Sequence, residues 1–148
     1  MYKHILIATD GSDFAAKGTE HGLALAEALA AKVTVLKVVE PLEREAAKEA
    51  SASGIDSPVI RYDQQIEDTM KKQFAPIEQR AAEHGVAVEL LHEIDNVPSK
   101  AIVRAAKLTG CDLIVMTTHG RRGAQRLMLG SQTDDVVTHT DIPVLVVR

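Results

Sequence analysis

The chain has a single cysteine, Cys111, no tryptophan, and only two tyrosines and two phenylalanines among 148 residues. One cysteine excludes an internal disulfide framework and any multi-cysteine metal site within the chain. Cys111 precedes an apolar strand and reads as a buried structural thiol rather than a reactive one. A basic surplus is also missing: 17 Lys and Arg stand against 21 Asp and Glu, a net charge of −4. Bulk electrostatics therefore point to no nucleic-acid partner. No run approaches the ~18 apolar residues of a membrane span, so no membrane insertion is expected. The run Ile5–Ala8, closed by Asp10, is too short for a signal-peptide core, and a cytoplasmic, reducing location is expected.

Catalytic signatures are equally sparse. There is no Gly-x-Ser-x-Gly elbow, no phosphate loop ending in Gly-Lys-Ser/Thr, and no Gly-x-Gly-x-x-Gly fingerprint. The histidines outside the loop described below (His4, His21, His84, His92 and His139) show no metal-ligand spacing and suit packing or surface roles.

What is present is a soluble-protein composition, 45% hydrophobic and 26% charged, in one domain of residues 1–148 large enough to bury a core. Ile5–Ala8, Val33–Val39, Val86–Leu91, Asp112–Thr117 and Pro143–Val147 read as strands. Ser12 caps a helix reaching Ala31, with Gly18, Gly22, Leu25, Ala26 and Leu29 on its inner face. From Pro41 to Arg61 the pattern dissolves into a mobile connection with a short helical piece. A charged helix follows from Asp63 to His84, ended by Gly85 and kinked or broken at Pro76. Asp95 or Asn96 caps a further helix with Pro98 in its first turn, a core face of Ile102, Ala105 and Leu108, and Gly110 at its end. Strands alternating with helices imply right-handed crossovers and a parallel sheet covered on both faces.

The most informative segment is Met116 to Ser131. It leaves a strand, carries glycines at 120, 123 and 130 and arginines at 121, 122 and 126, and ends in Gly130-Ser131. Ser131 reads as a helix N-cap, with Asp134 three residues on. A glycine loop opening into a helix N-terminus turns backbone N–H groups and a positive dipole end toward an anion, and phosphate is the expected guest. The Asp10-Gly11 turn lies at the carboxyl end of another strand, where ligands of open α/β sheets bind.

With these motifs in place, the chain resembles the universal stress protein family nearly end to end. The likeness rests on Ile5-Leu-Ile-Ala-Thr-Asp-Gly-Ser12, on Asp112-Leu-Ile-Val-Met-Thr-Thr-His-Gly-Arg121 and on Ile142-Pro-Val-Leu-Val-Val147. The nucleotide-binding branch of that family carries glycine, two residues, glycine, nine residues, then glycine and serine or threonine. Gly120, the nine residues Arg121–Leu129 and Gly130-Ser131 match, but Thr117 stands at the first glycine. A side chain there is expected to narrow the approach of ribose or phosphate.

The resemblance implies an α/β three-layer sandwich of Rossmann-like, adenine nucleotide alpha hydrolase-like fold, with a five-stranded parallel sheet in the order 3-2-1-4-5. It also implies a homodimer through the last strand and ATP or AMP as ligand, with a divalent metal, Mg or Mn, as companion. By position, Ala8, Thr9 and Asp10 line the adenosine end, the backbone of Val38 meets adenine, and Met116 packs beside it. His119, Gly120, Gly130, Ser131 and Thr133 hold the phosphates, and Thr117, Arg121 and Gln132 complete the ligand set.

Three functions stay open at this level. The first is a nucleotide-binding, stress-response regulatory module with an unknown protein partner. The second is a slow ATP hydrolase or phosphotransfer enzyme using Asp10 and His119. The third is a nucleotide-free dimeric scaffold, favoured if Thr117 closes the pocket. Plainer roles also exist for the parts: the loop as a connection, Asp10 as a helix cap, His119 as an idle loop residue.

Overall fold

A computed structural model describes residues 1–118 and 129–148. The elements run β1 (His4–Thr9), α1 (Asp13–Leu29), β2 (Lys32–Val39), α2 (Arg44–Ala52), α3 (Pro58–Glu83), β3 (Val88–Ile94), α4 (Pro98–Thr109), β4 (Leu113–Thr117), α5 (Ser131–His139) and β5 (Val144–Val147). Neighbouring strands pair in parallel, in the order β3-β2-β1-β4-β5 expected from the resemblance.

β1 is central because its residues are apolar on both sides. Ile5, Leu6 and Ile7 are wholly out of water, as a parallel strand covered by helices on both faces requires. Ile5 and Ile7 join Val33, Val35, Leu113 and Val115 beneath α1 and α3, together with Leu23, Ile66, Met70 and Phe74. Leu6, Leu36, Ile114 and Met116 face α4 and α5, meeting Ile102, Ala105 and Val136. Helix α1 lies unusually close to the sheet. A Cβ placed on Gly22 would fall 2.4 Å from Cδ1 of Ile7, so a side chain here would force the buried Ile7 to shift.

Several expectations need correction. The segment from Pro41 to Arg61 is mostly helical: it holds α2 and the start of α3. Its alanine, glutamate and lysine content favours helix over irregular chain, and the Tyr62 hydroxyl ties the start of α3 to the Glu40 carbonyl at 2.8 Å. Pro76 does not break α3, which continues to Glu83. Pro76 and Lys72 are both exposed, so the carbonyl that loses its helical N–H partner faces solvent. β3 ends at Ile94 rather than Leu91, because its pairing with β2 continues to Val39 opposite Ile94. Val86 precedes it and closes the α3 turn, its N–H donating to the Ala81 carbonyl. Leu108 is 77% exposed; Ala101, Ile102, Ala105 and Ala106 form the inner face of α4. The N-cap of α4 is Val97, neither Asp95 nor Asn96, although Asp95 Oδ1 accepts the Val97 N–H at 2.9 Å. Cys111 is buried as expected, and that burial pushes its thiol above the ordinary range.

At the end opposite the carboxyl edge, α3 is clamped to α1 by charge. Arg80 bonds Glu20 at 2.5 Å and also pairs with Glu83. His84 holds Glu27 through Nδ1 at 2.6 Å and Glu20 through Nε2 at 2.9 Å. Hydrogen bonding to Glu27, then to Glu20, raises the His84 pKa above its ordinary 6.5. Because the folded value is the raised one, this contribution is fully present below the unfolded pKa. It is lost as pH rises through the folded value. Tm should therefore fall as pH rises from about 6 to about 9, and His84→Gln should flatten that slope. Thermal denaturation of both proteins across this range is the check; identical slopes would show that the clamp contributes nothing.

Candidate functional site at the carboxyl edge

The central pair, β1 and β4, sends its two following turns to the same edge of the sheet. After β1 the chain enters the turn Asp10-Gly11-Ser12. The Ser12 N–H donates to Asp10 Oδ1 at 2.9 Å, and the Gly11 N–H donates to Thr9 Oγ1 at 3.2 Å. Gly11 has φ +79°, a conformation that favours glycine. Ser12 then caps α1, accepting the Ala15 N–H at 3.2 Å, as the sequence implies. Asp10 thus shapes its own turn and leaves the capping of α1 to Ser12.

After β4, the chain returns to the edge at Gly130. The Gly130 N–H donates to the Thr118 carbonyl at 2.7 Å, and the Thr118 N–H donates to the Val147 carbonyl at 3.0 Å. The Thr133 hydroxyl, buried in the first turn of α5, donates to the Thr117 carbonyl at 2.8 Å. These bonds fasten the N-terminus of α5 to the end of β4. Gly130, not Ser131, is the N-cap, with φ −61° and ψ 151°. Ser131 is already helical, and the Gly130 carbonyl accepts from Asp134. The N–H groups of the first turn have no helical carbonyl behind them, and the helix dipole is positive at this end.

Ala8, Val38 and Met116 share one face of the sheet, the one under α4 and α5. Ala8 and Met116 follow the paired Ile7 and Val115 on neighbouring strands. Gln132 is engaged elsewhere. Its Oε1 accepts the Ser99 N–H at 2.9 Å, capping α4 from α5, while the Ser99 hydroxyl donates to Asp135 Oδ2 at 2.8 Å. The Gln132 side chain therefore joins two helices. His119, Gly120 and Arg121 lie outside the described residues. Among the described residues, no cluster of three or more His, Cys, Asp or Glu side chains is set to hold a metal ion.

Thr117 departs from its expected role. Strand alternation turns its side chain toward α1, where its Cγ2 lies 2.9 Å from the position of a Cβ on Gly18. The side chain that replaces a motif glycine is lodged against a glycine on the facing helix. Sequence inspection also misses Lys37 and Gln73. Lys37, on β2, is 7% exposed and its Nζ donates to Gln73 Oε1 on α3. A Cβ on Gly11 would lie 3.0 Å from that Nζ. The available signal was a break in pattern: Val33 and Val35 point inward, and Lys37 continues their series.

Open parallel α/β sheets bind ligands outside the carboxyl ends of their strands, at the topological switch point, and β1 and β4 form that pair here. The family model described as the universal stress protein family matches residues 1–148, and the chain belongs to that family. It is 33% identical over 153 residues to the universal stress protein YxiE of Bacillus subtilis, covering all of both chains. The solved structure of MJ0577, a universal stress protein of Methanocaldococcus jannaschii, matches with a TM-score of 0.82 at 28% identity, over 99% of this chain and 96% of that one. A universal stress protein from Archaeoglobus fulgidus, solved in complex with dAMP, shares the fold with a TM-score of 0.64 at 19% identity, over 99% and 98% of the chains. Among the described residues, no helix is long and apolar enough to cross a membrane.

The Gly18–Thr117 contact is open to a double-mutant test. Gly18→Ala should destabilise the fold by about 1–3 kcal/mol through overpacking. Thr117→Gly should cost about 1–2 kcal/mol through lost packing and added backbone freedom. The combined variant should recover part of the sum, because the clash that Gly18→Ala creates is gone. Urea denaturation of all three reads this directly, and simple additivity would show that the two positions do not touch.

Proposed function

We propose that the protein binds an adenine nucleotide, ATP or AMP, at the carboxyl edge between β1 and β4, and works as a homodimeric regulatory protein through an unidentified protein partner. The observation that carries this reading is the fastening of α5 to β4. Gly130 and Thr133 are bonded to the end of β4 and the residue after it, which holds a helix N-terminus at the end of the strand that pairs with β1. In this reading the phosphates lie on Gly130, Ser131 and the backbone of Gln132 and Thr133, with His119, Gly120 and Arg121 as further contacts. Adenosine lies along Ala8, Thr9 and Asp10, with Val38 and Met116 beside the base. The complex of the Archaeoglobus relative with dAMP supports the ligand class. A Mg or Mn ion would enter bound to the phosphate oxygens, as such ions commonly do. Thr117, turned toward Gly18, gives no support to a nucleotide-free scaffold. The buried Cys111 fits a reducing, cytoplasmic setting.

Gly130→Asp is the direct test of the phosphate site. Because Gly130 has φ −61° and is followed by a helix, aspartate is well accommodated there, and the fold should survive. Its carboxylate would stand where phosphate is proposed to bind. Losing charge-assisted hydrogen bonds of ~1.5–3 kcal/mol each should weaken ATP about a hundredfold or more in calorimetry. Equal affinities in wild type and a folded Gly130→Asp would place the phosphates elsewhere.

The dimer is proposed to form through β5. This strand lies at the sheet edge, with Leu145 38% exposed, and an uncovered apolar edge invites pairing. A two-fold axis joining two such edges would satisfy their backbone groups. Light scattering at micromolar concentration should give a dimer for wild type and a monomer for Val146→Lys. A wild-type monomer under those conditions ends this part of the proposal.

A further inference from the structure

Lys37, 7% exposed, is the one buried Lys, Arg, Asp or Glu among the described residues. Lysine is seldom held out of water without a purpose that outweighs its desolvation. It projects from β2 on the face beneath α1 and α3, paired in register with Thr9, the last residue of β1. Its ammonium donates to Gln73 Oε1 and lies against Gly11, inside the turn that carries Asp10. A carboxylate at that turn faces a difficulty: if the guest is anionic, Asp10 repels it. A cation seated under the same turn offsets that repulsion at short range and through little water.

We propose that Lys37 is a specificity-determining residue of the carboxyl-edge site, the buried cation that lets the Asp10–Ser12 turn accept a phosphate-bearing ligand in preference to the bare nucleoside. The inference rests on the nucleotide reading above and adds the residue that sets the charge preference. Lys37 need not touch the ligand. It stands below the turn and acts on the turn's charge, as a positioning residue does, while the N-terminus of α5 supplies the direct donors.

Calorimetric titration with ATP and with adenosine, on wild type, Lys37→Met and Gln73→Glu, tests this. Lys37→Met removes the cation. Gln73→Glu keeps it but sets a carboxylate on it, with almost no change of shape, so it stays folded if the methionine variant does not. Both variants should bind ATP about tenfold more weakly while adenosine affinity changes by less than about twofold. Equal losses for the two ligands would make Lys37 a packing residue only and overturn the inference. Unchanged ATP affinity in either folded variant would overturn it too and leave the nucleotide reading standing. A wild-type protein that binds neither ligand would remove both.

Discussion

The lateral pairing of β1 with β4 is the contact on which the rest of this molecule depends. Ile5, Leu6 and Ile7 face Leu113, Ile114 and Val115 in parallel register, and all six are at most 3% exposed. The chain reaches β2 from β1 on one side and β5 from β4 on the other, so the crossovers diverge from this pair. In sheets of this topology such divergence opens a crevice at the carboxyl ends of the two strands, and here α1 and α5, the helices that follow them, pack on opposite faces. The Asp10 turn and the start of α5 come to one edge for that reason. The two turns share one edge because two strands 109 residues apart in sequence, counted from His4 to Leu113, are neighbours.

Close packing of α1 then sets tolerances at that edge. Gly22 lets the helix rest on Ile7, and Gly18 receives Thr117. Helical glycine is unfavourable by about 1 kcal/mol relative to alanine, so two of them in α1 signal that proximity outweighs propensity. The consequence reaches the ligand side of the sheet. While the side chain of Thr117 is accommodated on the α1 face, its carbonyl accepts from Thr133, which anchors the helix whose N-terminus is proposed to meet phosphate. The substitution of a motif glycine is therefore matched by a glycine elsewhere, and the pair must be judged together.

The parts of this fold that sequence reveals are those governed by local rules. Continuous apolar runs mark the strands, Ser12 and Gly110 mark helix ends through capping geometry, and the family likeness supplies the strand order that no local pattern contains. The misreadings arise where tertiary contact overrides the local cue. Leu108 is apolar yet exposed, because the face of α4 that meets the sheet is filled by Ala101, Ile102, Ala105 and Ala106. Ser131 has the chemistry of a cap, but the bond from Gly130 to Thr118 fixes Gly130 as the cap and draws Ser131 into the helix. The side chain of Gln132 caps α4, which leaves only its backbone for the proposed phosphate site. The interior of the glycine loop, residues 119–128, lies outside the described residues, so for His119, Gly120 and Arg121 the reading stands on sequence alone.

Net charge is a poor guide to what such an edge attracts. The chain carries −4 overall, and the turn nearest the crevice bears the carboxylate of Asp10. Yet interactions between charges are decided within about a Debye length, roughly 8–10 Å, and by how much water lies between them. At the end of β4 a helix N-terminus, fastened by Thr133, adds partial positive charge. Lys37, buried under Gly11, is proposed to add to it. Both are fixed: one is backbone, the other is buried and donates to Gln73. A local field built from fixed, poorly screened positive groups can accept an anion on an acidic protein. The acidic surface then acts only at longer range, where salt screens it.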